Sequence, residues 1–147
     1  MAETENIPDL YETDIYLWSE QQAELLRRRA ANALDWDNLV EEVEAVGRSE
    51  LHAVESHLIQ ALLHDLKAEA WPLSRDVEHW RAEARGHRDD ARRHFAPSMA
   101  QRIDLEKLYQ QARRRMPATL DGTLPLPGAV PDSCPVSLAE MLSEDTE

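Results

Sequence analysis

At 147 residues with 42% hydrophobic side chains, the chain is long enough to bury one core and short for two. A single cysteine excludes an intramolecular disulfide and a four-cysteine zinc site, and only four glycines amid abundant Ala, Leu, Glu and Arg favour helix over sheet. The net charge of −13 is uneven: residues 1–74 carry 5 basic and 16 acidic side chains, 75–115 carry 11 and 7, and 116–147 carry none and 6, so nucleic acid is repelled unless the basic segment occupies one face.

In chain order, residues 1–12 read as an acidic arm. The pattern "TDIYLWSEQQAELLRRRA" from Thr13 predicts a first helix, with Thr13 or Asp14 as cap, an apolar stripe of Ile15, Trp18, Leu25 and Leu26, and Arg27 to Arg29 at the negative end of the dipole. Asp35 is placed to cap a second, "WDNLVEEVEAV", whose Leu39, Val40, Val43 and Val46 share a side, with Gly47 ending or bending it. Ser49 starts a third helix in which Leu51, Val54, Leu58, Leu62 and Leu66 recur at three-and-four spacing, the expected centre of the core. Pro72 breaks the chain, and Ser74 is positioned to cap a fourth helix whose inward stripe is Val77, Trp80, Ala84, Ala91 and Phe95. Pro97 ends it, and "SMAQ" from Ser98 has the spacing of a capping box for a fifth helix.

Residues 117–136 are rich in proline and are expected to wrap the surface through Leu120, Leu124, Leu126 and Val130, before Ser137 opens a short terminal helix. The expectation is one all-α domain over 1–147, a helical bundle of five main helices plus a short C-terminal one. The N-terminus lacks a basic-then-apolar leader and no apolar run nears the roughly 20 residues that span a bilayer, so a cytoplasmic chain without membrane contact is expected.

The fourth helix, "HWRAEARGHRDDARRHF", carries the richest chemistry. His79, Glu83, His87, Asp90 and His94 follow at spacings of four, four, three and four, as chelating pairs on a helix would. Of these, Glu83, His87, Asp90 and His94 are the metal candidates, and a further ligand would have to come from His57, His64 or the acids Glu41, Glu42 and Glu44. His57 and His64 stand about 10.5 Å apart along a helix axis and do not readily share one ion. The competing reading, a solvated and salt-bridged flank, is preferred, so no metal or other cofactor is expected. A helical wheel of about 100° per residue groups Ala84, Ala91 and Phe95 around Trp80, sets His87 on the shoulder, His94 a little further round, and His79 beyond the edge.

Asp37, Glu41 and Glu44 line one side of the second helix as an acid/base pair or magnesium site would, yet acids there also favour the dipole and can pair with arginines of the fourth helix. Arg75, Arg81, Arg85, Arg88, Arg92 and Arg93 alternate with acids and lack interleaved aromatics, which disfavours nucleic acid. Cys134 before Pro135 reads as a packing thiol rather than a haem ligand. No phosphate loop or nucleophile elbow is present, and no catalytic residue can be assigned.

The motifs "YETDIYLW", "LDWDNLVEEVEAVGRSE", "LLHDLK", Trp80 with Arg81, "PSM", Tyr109 with Ala112 and Arg113, and "PDSCPVSLAEML" succeed one another from Tyr11 to about Leu142. In order and spacing the chain resembles the bacterial family catalogued as domain of unknown function twenty-nine. That resemblance implies an α-helical fold and supplies no activity, substrate or cofactor. Ala68 departs from it, standing where a tryptophan is frequent, which leaves that ring's packing to Trp71. The functional expectation is a non-catalytic acidic helical protein that binds another protein or itself; the alternative is a metal-dependent enzyme built from the fourth helix and the acidic second one.

Overall fold

The computed structural model describes the backbone of residues 6–144 and side chains from residue 10 on. Six α-helices follow in order: α1 (Asn6–Thr13), α2 (Ile15–Arg27), α3 (Trp36–Ala70), α4 (Val77–His94), α5 (Leu105–Arg114) and α6 (Leu138–Leu142), with 3-10 turns at Ala31–Ala33 and Pro97–Gln101. No strand occurs among the described residues, and the fold is all-α. The chain divides into two compact units, one ending at Arg48 and one beginning at Ser49.

In the first unit the acidic arm is helical from Asn6, because Pro8 falls in the first turn, where its missing N–H is not needed. Asp14 caps α2 by accepting from the Leu17 N–H at 3.0 Å. α2 ends in a Schellman motif: the Ala30 N–H reaches the Leu25 carbonyl and the Arg29 N–H that of Leu26, with Arg29 in the left-handed region at φ 55°. The expected stripe is corrected here. Trp18 is buried and Leu25 half-buried, whereas Ile15 and Leu26 are exposed, and the position one turn after Trp18 is the buried Gln22. Gln22 is kept by its side-chain oxygen, which accepts from the Asp35 N–H at 2.9 Å. Trp18 donates its ring N–H to Asp35 at 3.1 Å, and Tyr11 packs edge-on against Trp18 while donating to Glu42 at 2.6 Å. That bond to Glu42 pushes the Tyr11 phenol up to about 12.

Gly47 does not break the helix, so the expected second and third helices are one. One glycine costs about 1 kcal/mol, and Arg48 pairs with Glu44 and Glu41 to bind the turns around it. α3 therefore runs 35 residues, about 52 Å at 1.5 Å per residue. Its two halves differ. Every buried residue of α3 lies from Val54 onward, where Val54, Leu58, Leu62 and Leu66 form the expected stripe.

In the second unit α4 presents Trp80, Ala84 and Ala91 to the interior, with Val77 and Phe95 half-buried, as the wheel predicts. Ser74 accepts from the Asp76 N–H in the preceding turn and does not cap the helix, which starts after Asp76. The expected fifth helix is interrupted: residues 97–101 form a 3-10 turn, no Ser98 capping box forms, and α5 begins after Asp104, which accepts from the Lys107 N–H at 3.2 Å. Tyr109 and Ala112 of α5 are fully buried against α3.

The Pro-rich segment is tied down mainly by hydrogen bonds. Tyr109 donates its hydroxyl to the Pro131 carbonyl, Trp71 donates to Thr123 at 3.0 Å, and the Leu126 N–H donates to Ala70 at 2.8 Å. Leu120 and Val130 are half-buried as expected, but Leu124 and Leu126 are exposed, and at Leu126 it is the backbone N–H that is tied to Ala70. Asp121 and Gly122 both take positive φ in a tight turn, a conformation the Asp-Gly pair favours. Ser137 caps α6, whose Met141 is buried and whose Leu138 and Leu142 are half-buried. The packing left by Ala68 is met by Trp71, which joins Trp80 and Ala70 around it in a second cluster.

Gly86 and Gly47 both lie inside helices, and a Cβ at either meets nothing within 4 Å. Gly86→Ala and Gly47→Ala should each stabilise by about 0.5–1 kcal/mol, read as a rise in the urea midpoint at constant slope.

Candidate functional site

The histidines of α4 meet those of the C-terminal half of α3. His57 Nδ1 and His87 Nδ1 lie 3.0 Å apart, and the ring of His64 stacks on that of His87 from the other side, centroids 5.9 Å apart. His94 stacks on His57 at 6.3 Å and sets its Nδ1 3.0 Å from Glu50. The ladder follows from period: His57 and His64 are two turns apart on α3, as are His87 and His94 on α4, so the rings interleave. Two groups of potential ligand atoms result, each within 4.8 Å of one another: His57, His87 and Asp90, all half-buried, and His64, Glu83 and His87, of which Glu83 is exposed. His57 and His64 thus serve different groups, as their separation requires, and His87 belongs to both. His94 joins neither group, and His79 lies exposed as the wheel predicts.

His64 carries a buried Nδ1 with no hydrogen-bond partner. Burial, helped by the neighbouring Lys67 and His87, holds its imidazole below the usual histidine range and against protonation. Beside the ladder, Arg81 donates to Asp65 at 2.9 Å and to Glu69 at 2.6 Å, and Arg88 closes on the same Asp65. Arg92 pairs with Asp89 and Arg93 with Asp90. Arg81, Arg88, Arg92 and Arg93 of α4 thus form the salt-bridge ladder that their alternation with acids suggests.

The acidic block has other duties than those weighed from sequence. Glu41 and Glu44 pair with Arg48 on their own helix, and Glu42 holds Tyr11. The carboxylates that matter structurally are Asp35 and Glu42, read from sequence as a helix cap and a possible ligand, and found here holding Trp18 and Tyr11. Cys134 is half-buried against the core, and burial pushes its thiol up. A groove of about 540 Å³ lined by Trp71, Leu73, Leu120 and Leu124 gathers no histidine or cysteine.

The exposed apolar side chains are unevenly placed. Eleven large hydrophobics are exposed among the described residues, and eight of them precede Gly47, where Trp18 is the one buried hydrophobic. On α3, Trp36, Val40 and Val43 stand 57%, 54% and 71% exposed at spacings of four and three, so they form one outward stripe, with Val46 at its flank. The valines expected to face a core therefore face outward.

The model of the family described as "Domain of unknown function DUF29" matches residues 10–146. The chain belongs to the DUF29 family. It is similar to an alpha-helical protein of unknown function from Rhodospirillum rubrum, whose crystal structure at 1.45 Å superposes with a TM-score of 0.71 at 29% identity, covering 92% of this chain and 90% of that one. Among curated proteins none matches the chain. In this DUF29 chain several residues that carry the family resemblance are structural ties: Tyr11 binds α1 to α3, Trp18 binds α2 to Asp35 just before α3, and Tyr109 and Arg113 bind the Pro-rich segment to α5. No helix among the described residues is long and apolar enough to cross a membrane.

Proposed function

We propose that this DUF29 protein is a non-catalytic accessory protein that docks an apolar, basic-flanked helix of another protein on the outward stripe Trp36, Val40 and Val43. The observation carrying this reading is the contrast, among the described residues before Gly47, between eight exposed large hydrophobics and one buried. Contiguous apolar surface of this kind marks an interaction site on a water-soluble fold. Asp37, Glu41 and Glu44 flank the stripe, and the single Arg48 shared by Glu41 and Glu44 leaves that flank net acidic, which selects a cationic partner and disfavours a second copy in the same register, since acids would then oppose acids.

Val40→Glu/Val43→Glu tests the reading. Both positions are exposed, so thermal stability should move by no more than about 0.5 kcal/mol per site. Affinity purification from the native cell should recover a protein bearing a basic amphipathic helix with the unsubstituted chain, and a peptide of that helix should bind it and not the double variant. Equal recovery by both chains would contradict the reading.

A further inference from the structure

We propose that His57, His87 and Asp90 form a binding site for a first-row transition-metal ion, zinc(II) being the best fit. The geometry starts from the two facing Nδ1 atoms, 3.0 Å apart, brought together from α3 and α4. Zinc bonded to nitrogen at about 2.0–2.1 Å in a tetrahedron sets neighbouring ligand atoms about 3.3 Å apart, so a small opening of this pair admits the ion where a hydrogen bond now lies. A carboxylate oxygen of Asp90 lies within 4.8 Å of a ring nitrogen of each of these histidines, close enough to complete the set. All three groups are half-buried, which limits competition from water.

Asp90 now pairs with Arg93 at 3.2 Å, but the Arg93 side chain is 72% exposed, so that pair is weak and easily displaced. The other edge of His87 faces Glu83, with Nε2 at 3.8 Å from the carboxylate. That gap exceeds hydrogen-bond length; closing it as the ion binds fixes a proton on Nε2 and leaves Nδ1 bare for the ion, the supporting arrangement of metal-bound histidines, which makes Glu83 a positioning residue. Two imidazoles and one carboxylate select zinc, cobalt or nickel over magnesium and calcium, which prefer all-oxygen shells. The site is independent of the outward stripe of α3, and neither proposal depends on the other.

The test uses the full chain, stripped of metal by chelator and dialysed, titrated with zinc chloride by calorimetry and with cobalt(II) chloride by visible absorption. One equivalent should bind, cobalt should give the absorption of a low-coordinate nitrogen–oxygen site, and zinc should raise the melting temperature. His57→Gln and His87→Gln, chosen to keep volume and hydrogen bonding, should weaken zinc by more than the roughly 10–100-fold that loss of a supporting group such as Glu83 costs. Asp90→Asn should also weaken it, while His79→Ala should bind as the unsubstituted chain does. Absence of one-equivalent binding would overturn the site, as would binding that survives His57→Gln but is lost in His64→Gln, which would move the ion to the His64, Glu83 and His87 group. Circular dichroism melts of each variant separate lost binding from lost fold.

Discussion

Tyr109→Ala should remove about 4–5 kcal/mol of stability, which is most of what a domain of this size holds. Tyr109 is 0% exposed and is the largest fully buried side chain, set among Leu58, Leu62 and Leu108. Truncation opens a cavity where α3, α5 and the Pro-rich segment meet. It also removes the hydroxyl that the Pro131 carbonyl accepts, so the segment loses a tie at the same moment. Burial raises this phenol's pKa, so it stays protonated and remains a donor through the neutral range. Tyr109→Phe separates the two effects. It keeps the ring and should cost about 1–2 kcal/mol, the range for leaving one part-buried acceptor without its donor. Urea unfolding followed by circular dichroism gives both values; a Phe variant as damaged as the Ala variant would mean that the hydroxyl, not the ring, carries the stability.

Trp80→Ala should cost about 3–5 kcal/mol, while its neighbour His79→Ala stays within about 0.5 kcal/mol. Trp80 is 7% exposed and fills the cluster with Trp71, Ala68 and Ala70; His79 points to solvent. Because Ala68 and Ala70 are small, the two tryptophans supply most of the buried volume of that cluster, with Val77, Met116, Leu120 and Val130 packed against it. Thermal melts of the two single variants, run side by side, check the contrast. Equal shifts would mean that α4 is not oriented as described.

Two helix faces that meet a core were legible from period alone, whereas that of α2 was not, because its buried position after Trp18 is the polar Gln22. The stripes of α4 and of α3 beyond Val54 come directly from three-and-four spacing, and Ser137 marks the start of α6 by its capping pattern. The valines of α3 misled for the same reason: the period is equally good, but period reports only that a face is apolar, not whether the chain itself covers it. Gly47 was ambiguous because one glycine's cost is smaller than what two flanking ion pairs and continuation of the helix return. At the candidate metal centre, Glu83, His87, Asp90 and His94 were visible as neighbours on one helix. That His57 meets His87 head-on depends on the rotation of α3 against α4, which no spacing within either helix encodes. His94 shares the ladder but turns its Nδ1 to Glu50, a pairing 44 residues apart that was equally hidden.

The docking face is tested most directly by a photo-crosslinking amino acid placed at Val43 in the full chain, expressed in its own cell, with the same residue at exposed His79 as control. Irradiation should convert the Val43 protein into one discrete heavier species containing a second protein with a basic amphipathic helix, and should leave the His79 protein unchanged. An unconverted Val43 protein, or the same spread of adducts at both positions, would contradict a specific partner on the N-terminal half of α3.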